Sequence, residues 1–254
     1  MVVVDEKLQQ QDTLANSQEK EVRLKIIGMV RSCFSERFGI PRQPGLVPAA
    51  TARLELLPPY NRREMVRGLE AFSHVWVQFL FHQTLSEGWK ATIRPPRLGG
   101  RQRVGVFASR SPHRPNHLGL SVVRLQGVVC EGNGVSLLLA GIDLLDGTPV
   151  LDIKPYIPYG DCPVEAQGGY ASQSPGRVAI SFSPEALGFC QRYDEKTGRN
   201  LEELVRQVIG NDPRPASQKG RKKTFAAMLW GVDVRWTVGD EGVVVECCRQ
   251  LRAE

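Results

Sequence analysis

Four short apolar segments follow one another closely along residues 104–156, and they constrain the fold of this chain more than any other feature. They read VGVFAS, SVVRLQGVVC, VSLLLAGIDLL and PVLDIKPY, and turn signals such as Glu131-Gly132-Asn133-Gly134 and Asp146-Gly147 separate them. Each has the length and composition of a strand, and no helical segment comes between them. Strands joined by short turns favour an antiparallel sheet that curls or closes, so we predict a mainly β chain of the α+β class.

Two upstream segments are also predicted as strands, and one as a helix. Residues 23–30 alternate well enough for a first strand, and residues 73–83 alternate aromatic and aliphatic side chains as a central strand would. A short helix from Asn61, its candidate cap, to Leu69 is predicted between them. The proline-rich segment PRQPGLVP at 41–48 is predicted to be a surface loop, a place where functional groups are often displayed.

A composition shift at ASQSPGR, residues 171–177, marks the predicted domain boundary. Residues 1–21 are predicted to be a flexible tail, residues 22–173 a β domain, and residues 174–254 a small α+β domain. We expect two helices in the C-terminal domain, and then a hairpin around residues 239–242. Ser183 caps the first helix ahead of a proline, and Asn200 with Glu203 forms a box-like pair that begins the second. The apolar stripe of the second helix comprises Leu201, Leu204, Val205, Val208 and Ile209.

Positive charge is concentrated in one stretch of the chain. The formal net charge is +6, yet no acidic residue lies between Glu87 and Glu131. Eight cations fall in that stretch: Lys90, Arg94, Arg97, Arg101, Arg103, Arg110, Arg114 and Arg124. Such a run is either a solvated face or a surface that binds a polyanion. The excess of arginine over lysine favours recognition, because the planar guanidinium suits phosphates and bases.

The cysteines and the N-terminus indicate the compartment. The six cysteines are scattered apart from the adjacent pair Cys247-Cys248, and none forms Cys-x-x-Cys, so neither a zinc site nor a disulfide framework is indicated. A reducing cytoplasm is therefore the expected location. The N-terminus is predicted to be neither a signal peptide nor a membrane span, and no later segment approaches eighteen apolar residues.

The segment RSPHRPNHLGLS, residues 110–121, concentrates positive and imidazole chemistry. A metal site on His113 and His117 is one interpretation, but the neighbouring prolines oppose a helix and no third ligand is close, so no metal is expected. A grip on a phosphate or other anion by Arg110 and Arg114 is the second. A stiff turn between strands is the third; it explains the prolines but not the arginines.

Two further clusters carry chemical groups. Asp152 and Lys154 have the same parity on an extended strand, so they either face one pocket together or form one salt bridge at a solvated edge. Residues 212–223, DPRPASQKGRKK, form a basic loop that is either merely soluble or binds nucleic acid. No Gly-x-Gly-x-x-Gly after a strand and no Walker loop is present, which removes the two commonest nucleotide cradles.

Several long motifs resemble one known family. PRQPGLV, GLEAFSHVWVQFLFHQ, RPPRLGG, VGVFASRSPHRPNHLGLS, DLLDGTPVLDIKPYIPY and DPRPA occur here in the order typical of the TsaA/TrmO family, from about Val22 through the C-terminal hairpin. The resemblance implies a single-sheet antiparallel β-barrel domain that binds S-adenosylmethionine, a small C-terminal domain and a homodimer. It also implies a tRNA methyltransferase acting on N6 of threonylcarbamoyladenosine at position 37, immediately 3′ of the anticodon, in threonine-type and other tRNAs.

The resemblance also assigns residues. Cofactor contacts would fall on Arg42, Gln43, Pro44, His82, Gln83, Arg110, Leu120, Ala140, Gly141, Ile142 and Asp143. The tRNA would be contacted by Arg114, Asp212, Arg214, Lys219, Arg221 and Lys222, and Arg114 with the two neighbouring histidines would face outward. We hypothesise that Asp152, Lys154 or Tyr156 assists proton loss from N6 or stabilises the resulting anion.

Two other classes of function are weighed against this one. A non-catalytic RNA-binding module would use the basic surface alone, but it would not need the PRQPG, FHQ and DGTP motifs of a cofactor cleft. A metal-dependent hydrolase would use the two histidines and lacks further ligands. The chain departs from the family pattern at His113, His117 and Ser217, positions that bear on loop rigidity and on stacking against the anticodon.

Overall fold

The computed structural model describes residues 22–214, 223–239 and 242–250. The first eight strands, in chain order, are β1 (Gly28–Ser32), β2 (Thr51–Leu56), β3 (His74–Leu80), β4 (Thr92–Ile93), β5 (Val104–Gly105), β6 (Leu118–Glu131), β7 (Gly134–Ala140) and β8 (Pro149–Pro155). Six of these form a closed barrel in the order β1-β2-β7-β6-β3-β8, and every pairing is antiparallel. The barrel closes where Gly28 of β1 pairs with Val150 of β8. The predicted curled antiparallel sheet is confirmed.

Alternation along the strands fills the barrel interior. Every second residue of β3 is buried, with Val75, Val77 and Phe79 inside, while the intervening side chains face outward. The beginning of β6 alternates in the same way. Small barrels of this strand number are filled by such side chains rather than by solvent. The outward residues of β3, β6 and β8 therefore form one continuous outer face.

The short elements between the strands differ from the sequence predictions. Instead of a helix from Asn61 to Leu69, two 3-10 turns occupy Arg63–Val66 and Leu69–Ala71. Gly68 between them is left-handed, which ends the first turn, and the Asn61 side chain donates to the Asn133 carbonyl instead of capping. The first strand begins at Gly28 rather than residue 23. β3 ends at Leu80, and a 3-10 helix at His82–Glu87 follows it.

The VGVFAS segment is also mostly not strand. Only Val104–Gly105 pairs, with β4, and a 3-10 turn at Val106–Ala108 follows. β4 and β5 thus form a small hairpin separate from the barrel. Further 3-10 turns occur at Pro96–Leu98 and Gly169–Ala171.

The C-terminal region is α+β, as predicted. A single helical turn, α1 (Pro158–Asp161), follows the barrel; then come β9 (Ile180–Phe182), α2 (Pro184–Thr197), α3 (Leu201–Gly210), β10 (Lys223–Leu229), β11 (Val232–Gly239) and β12 (Gly242–Gln250). The sheet has the order β10-β11-β12-β9, and only the β12–β9 pair is parallel. The Ser183 and Asn200 side chains cap α2 and α3 as expected. The Glu203 carboxylate, however, accepts from Gln207 rather than completing a capping box.

The barrel and the C-terminal region share a continuous core. Three connections join the loop after β1 to the C-terminal elements. The Trp230 amide donates to the Cys33 carbonyl at 2.9 Å, the Ala49 amide donates to the Gln207 side chain at 2.9 Å, and the Asn211 side chain donates to the Leu46 carbonyl at 3.1 Å. The segment just after the PRQPG motif is therefore held by a hydrogen bond to Gln207 of α3 and by one from Asn211, the residue after that helix. In the part of the chain that the structure describes, no helix has the length and apolarity needed to cross a membrane.

Candidate active site

A cavity of about 490 Å³ lies beside the C-terminal end of β3 and the beginning of β6. Its walls come from five segments that are distant in sequence: residues 37–43, the end of β3 with the following 3-10 helix, residues 109–114, the start of β6, and residues 143–148. Ligand sites for small molecules commonly span about 300–1,000 Å³, so this cavity has room for a nucleoside-sized ligand. The described chain therefore offers a concave site next to the barrel.

The apolar wall of the cavity depends on a glycine. A Cβ atom at Gly119 would overlap the ring of Phe79, which packs directly against the glycine backbone. Phe79 in turn meets Phe81 edge to face, with 5.0 Å between the ring centroids. Gly119 is thus required by close approach, and the two phenyl rings contribute apolar atoms to the cavity wall.

Asp143 is the cavity's buried acid. Burial raises the pKa of the Asp143 carboxyl to about 6, an effect that a hydrogen bond from Ser121 and the charge of Arg110 partly oppose. The Oδ1 atom is buried and has no hydrogen-bond partner in the described structure. Buried polar atoms are rarely left unpaired, because the missing bond costs about 1–3 kcal/mol. Asp143 Oδ1 is therefore a hydrogen-bond acceptor in the cavity wall that is available to a donor group of a ligand.

Arginines form the opposite, polar wall. Arg110 donates from Nη1 to the Gln43 side-chain oxygen, which ties the loop after β5 to the PRQPG loop. Arg42 donates from Nη2 to the carbonyl of Arg214 at 3.1 Å. Arg37 also lines the cavity and pairs with Glu87 at 3.2 Å. The cavity thus presents guanidinium groups that suit a carboxylate and one carboxylate that suits a cation.

The loop from 110 to 117 is folded inward. Arg114 donates to the Ser109 carbonyl at 2.6 Å, so its guanidinium stabilises the loop backbone. His117 is only 8% exposed, has a positive φ of 49°, and its Nδ1 lies 3.0 Å from the Pro112 carbonyl oxygen. His113 lines the cavity wall with Nε2 at 3.7 Å from Glu87. The expectation that His117 faces outward is therefore wrong, because its side chain is buried against the loop. His113 and Arg114 are half-buried and line the cavity, so their contact with tRNA stays a prediction.

Metal binding gains no support from these histidines. Over the described ranges, no group of three or more His, Cys, Asp or Glu side chains is arranged to hold a metal ion. His117 instead closes the turn through its backbone as well, since its amide donates to the Arg114 carbonyl and its carbonyl accepts from Phe81. His117 therefore has a structural role in this loop.

The residues assigned to the cofactor fall into two groups. Seven line the cavity: Arg42, Gln43, His82, Gln83, Arg110, Leu120 and Asp143. The other four, Pro44, Ala140, Gly141 and Ile142, do not. Gly141 instead exchanges backbone bonds with Gly45 and Ala50, donating to the Ala50 carbonyl at 2.8 Å and accepting from the Gly45 amide at 2.7 Å. Gly141 therefore holds Gly45, the last residue of the PRQPG motif, through the backbone.

The three hypothesised proton-transfer residues lie next to the cavity, on the outer face of the barrel. In the β3–β8 register, Asp152 is opposite Gln78 and Lys154 is opposite Trp76. Directly opposed residues share a face, so Asp152 and Lys154 point to the same side as the cavity-lining Trp76. The Asp152 carboxylate accepts from the Ile153 amide at 2.9 Å, which fixes its orientation.

Tyr156 belongs to the same outer face. Its ring centroid lies 5.9 Å from that of Trp76 and 6.3 Å from that of His74. Partial desolvation and the neighbouring Cys162 raise the pKa of the Tyr156 phenol above its usual value. Tyr156 is therefore protonated at neutral pH, and its predicted part in proton transfer stays a prediction.

The predicted tRNA contacts of the C-terminal region are only partly described. Lys219, Arg221 and Lys222 lie outside the described residues. Arg214 is 8% exposed, donates to Asp212 at 2.6 Å, and has its guanidinium 5.9 Å from the centroid of Phe225. The Arg214 guanidinium is thus buried against an aromatic ring and an acid, and its predicted contact with tRNA stays a prediction.

Some residues of the site were not predicted from sequence. Trp76 and Arg37 line the cavity, and neither is among the predicted site residues. Trp76 lies in the alternating segment of β3, and a large aromatic residue at one of its outward positions is a pattern that could have indicated a binding role. Arg37 stands in the FSERFG loop, and no local pattern marks it.

Comparison with known proteins agrees with this geometry. The family model of the tRNA-methyltransferase O N-terminal domain matches residues 29–162, and that of the TrmO C-terminal domain matches residues 175–251. The chain is 48% identical over 226 residues to the tRNA (adenine(37)-N6)-methyltransferase of Escherichia coli K12, covering 86% of this chain and 94% of that protein. It is 49% identical over 213 residues to a putative S-adenosylmethionine-dependent methyltransferase, RcsF, of Pseudomonas aeruginosa, covering 83% and 90% of the two chains.

A solved structure is also similar. The crystal structure of TrmO from Pseudomonas aeruginosa superposes with a TM-score of 0.75 and 41% sequence identity, covering 90% of this chain and 98% of that one. The agreement extends over the barrel and the C-terminal region alike. With both family models matched in order across most of its length, the chain belongs to the tRNA-methyltransferase O family.

Proposed function

We propose that this protein is an S-adenosylmethionine-dependent tRNA methyltransferase that modifies N6 of the adenosine at position 37. The observation that carries the proposal is the unpartnered Oδ1 of Asp143 in a cavity of about 490 Å³. Relatives whose names state this activity and cofactor, at 48% and 49% identity, support it. No nucleotide-binding cradle of the common types is required, because the cavity itself supplies the binding groups.

The cavity's residues fit the cofactor. S-adenosylmethionine supplies an electrophilic methyl group on a sulfonium sulfur, and it also carries an ammonium, a carboxylate, ribose hydroxyls and an adenine. Asp143 Oδ1 accepts a hydrogen bond from the ammonium or a ribose hydroxyl, while Arg110 and Arg42 hold the carboxylate. The phenyl rings of Phe79 and Phe81 offer an apolar surface, and His82 and Gln83 add polar contacts at the end of β3.

We propose threonylcarbamoyladenosine as the specific substrate. Its N6 is urea-like, so the nitrogen lone pair is delocalised and losing a proton makes it a better nucleophile. Lys154, exposed on the outer face, stabilises the developing anion, and the protonated Tyr156 phenol donates a hydrogen bond beside it. Asp152, oriented by the Ile153 amide, is the candidate acceptor of the proton. Positioning of the methyl donor next to N6 of the adenosine contributes the rest of the rate enhancement.

The tRNA is held by two basic regions in this proposal. The first region lies around the β4–β5 hairpin and has five exposed cations, one just before β4 and four between the two strands: Lys90, Arg94, Arg97, Arg101 and Arg103. Phosphate contacts of this kind give binding that weakens as salt rises. The second region is the basic loop at 212–223, on a C-terminal domain that we place at residues 174–254, after a barrel domain at residues 22–173.

We also propose that the protein is a cytoplasmic homodimer. Trp89 and Phe107, which flank the β4–β5 hairpin, are 61% and 77% exposed. Large exposed apolar side chains often mark interfaces between chains. All six cysteines are free thiols, as expected in a reducing compartment. Light scattering during gel filtration tests the dimer, and a monomer at micromolar concentration would contradict it.

Methyl transfer to tRNA tests the proposed function. Purified protein, radiolabelled S-adenosylmethionine and threonine tRNA are combined, using tRNA with and without the threonylcarbamoyl group. We expect methylation at N6 of adenosine 37 in the modified tRNA and a large loss with the unmodified one. Calorimetry with S-adenosylmethionine supplies the second measurement. Failure to bind it, with retained tRNA binding, would instead identify a non-catalytic RNA-binding module.

A further inference from the structure

Trp76 is an aromatic side chain of the cavity whose position the cofactor alone does not explain. It lies on the outward side of β3, between the buried Val75 and Val77, and it lines the cavity. Its neighbours across the sheet are Val122 of β6 and Lys154 of β8. The indole thus stands between the cavity and Lys154, the residue assigned to the methyl acceptor.

The indole is fixed in orientation. Its Nε1 donates to Asp161 Oδ2 at 2.9 Å, and the same oxygen accepts from the Ile157 amide at 2.8 Å. These two donors lower the pKa of Asp161, so the carboxylate is ionised at neutral pH and is a strong acceptor. The Tyr156 ring, 5.9 Å away and tilted by 50°, supports the indole from the side. The charge-assisted hydrogen bond to Asp161 and the contact with Tyr156 therefore hold the indole in one orientation before any ligand binds.

The surroundings match a single-stranded nucleic acid. Leu118 and Leu120, on the neighbouring strand β6, are 37% and 48% exposed and line the same cavity as Trp76, so apolar surface continues from the indole toward the end of β3. Lys154 and Arg124 lie on the same face, opposite Trp76 and His74 respectively, and supply positive charge. A rigid aromatic ring with cations on either side is the usual arrangement for stacking an unpaired base while its backbone phosphates are neutralised.

We propose that Trp76, held by Asp161, is the platform on which the target base of the tRNA stacks as it meets the methyl donor. The inference rests on the proposed function, since it names how that substrate is positioned. Trp76 contacts the base directly, while Asp161 acts through Trp76 as a positioning residue. Stacking binds the base and sets its distance to the cavity, so it affects the use of tRNA and leaves the binding of S-adenosylmethionine unchanged.

Steady-state kinetics of Trp76→Ala, Trp76→Leu and Trp76→Phe test the proposal. Removing the ring is expected to lower kcat/KM for modified threonine tRNA by about tenfold or more, mainly through KM, while phenylalanine restores it to within about threefold of wild type. The dissociation constant for S-adenosylmethionine, measured by calorimetry, is expected to stay unchanged. Phe72→Ala, which removes an exposed aromatic ring just before β3, serves as the matched control and keeps wild-type kcat/KM. Trp76→Leu replaces Trp76→Ala if the smaller side chain prevents folding.

Asp161 is tested through a double-mutant cycle. Asp161→Ala alone is expected to lower kcat/KM for tRNA several-fold, but to have no further effect in the Trp76→Ala background. A direct readout is tryptophan fluorescence with modified threonine tRNA and S-adenosylhomocysteine, which prevents turnover. We expect tRNA to quench the wild-type protein more than Trp76→Phe.

The outcomes separate the proposal from the function. If the wild-type protein methylates tRNA but Trp76→Ala retains wild-type kcat/KM, the stacking proposal is overturned and the function stands. A parallel loss of cofactor affinity also overturns it, because Trp76 would then be part of the donor cavity's wall. An equal loss in Phe72→Ala overturns it as well. Absence of methylation by the wild-type protein refutes the function itself.

Discussion

The guanidinium Nη2 of Arg42 lies 3.1 Å from the carbonyl oxygen of Arg214, so a wall of the cavity is fastened to the C-terminal region. Arg42 lines the cavity, and Arg214 follows α3 at the start of the basic loop. Two further bonds, from Ala49 to Gln207 and from Asn211 to Leu46, hold the same loop. The C-terminal region therefore helps to shape the cavity proposed for the cofactor, in addition to any contact with tRNA.

Gln207→Ala tests this connection. The change leaves the Ala49 amide without its acceptor, so we expect a loss of about 1 kcal/mol in the free energy of unfolding. Because the PRQPG loop gains freedom, the affinity for S-adenosylmethionine is expected to fall several-fold. Chemical denaturation and calorimetry measure the two effects. Glu195→Ala, an exposed change on α2, is the control, and unchanged cofactor affinity in Gln207→Ala would separate the two regions functionally.

Gly119→Ala tests the apolar wall. The new methyl group overlaps the Phe79 ring, so we expect a loss of about 1–3 kcal/mol in unfolding free energy and weaker cofactor binding. Gly127→Ala is a matched control on the same strand, since nothing lies within 4 Å of its added Cβ. Phe79→Leu in the Gly119→Ala background is expected to recover part of the stability. Equal thermal stability of the two alanine variants would show that the Phe79 ring moves aside without a loss of folding free energy.

Much of the barrel could be predicted from the sequence because strand alternation is a local signal. The period-two pattern of residues 73–80 is set by which side chains enter the core, and β3 follows it. The turns at residues 131–134 and 146–147 also carry their own glycines. Closure of the barrel is different, because it depends on Gly28 meeting Val150, a pairing between distant segments that no local pattern reveals.

The site was predicted unevenly for the same reason. Family motifs brought seven of the predicted cofactor residues to one cavity. The orientation of Arg114 and His117 instead depends on bonds to the carbonyls of Ser109 and Pro112, in a turn that also pairs with the Phe81 amide across the sequence. The failure of the helix at Asn61 came from Gly68, whose left-handed backbone a propensity argument does not foresee. The burial of Asp143, and hence its raised pKa, follows from the packing of β6 beside residues 143–145. Side-chain orientation, backbone handedness and burial depend on tertiary packing, so local sequence patterns do not predict them.

The Asp143 carboxyl makes stability depend on pH. Its pKa is raised from 3.8 to about 6 in the folded state, so the folded protein binds more protons than the unfolded chain between those values. Stability therefore falls as pH rises from about 4 to 6, by an amount of order 2–3 kcal/mol. Asp143→Asn removes this dependence and is expected to raise stability at pH 8 by about 1–2 kcal/mol. Urea denaturation at pH 5 and pH 8 measures it, and an unaltered pH profile would exclude Asp143 as the cause.

Cofactor affinity is expected to have the opposite pH dependence. A donor from S-adenosylmethionine favours the ionised Asp143 carboxylate, so affinity rises with pH through about 6 and levels off above 7. Between pH 7 and pH 5 we expect about a tenfold loss of affinity. Calorimetry in buffers of different ionisation enthalpy also detects the proton released at pH 6. Asp143→Asn is expected to bind more weakly with little pH dependence, and a strong dependence in that variant would assign the proton elsewhere.

Lys154→Ala tests the chemistry on the outer face. Lys154 lies opposite Trp76, and its ammonium is assigned to stabilise negative charge that develops on the deprotonated substrate. With S-adenosylmethionine and tRNA both saturating, we expect kcat to fall about 10²- to 10³-fold and cofactor affinity to stay unchanged. Lys154→Arg keeps the charge and is expected to recover part of the rate, while Lys196→Ala, at the exposed end of α2, controls for the loss of a surface cation. A wild-type rate in Lys154→Ala would remove Lys154 from the mechanism and leave Asp152 and Tyr156 as the groups to test on that face.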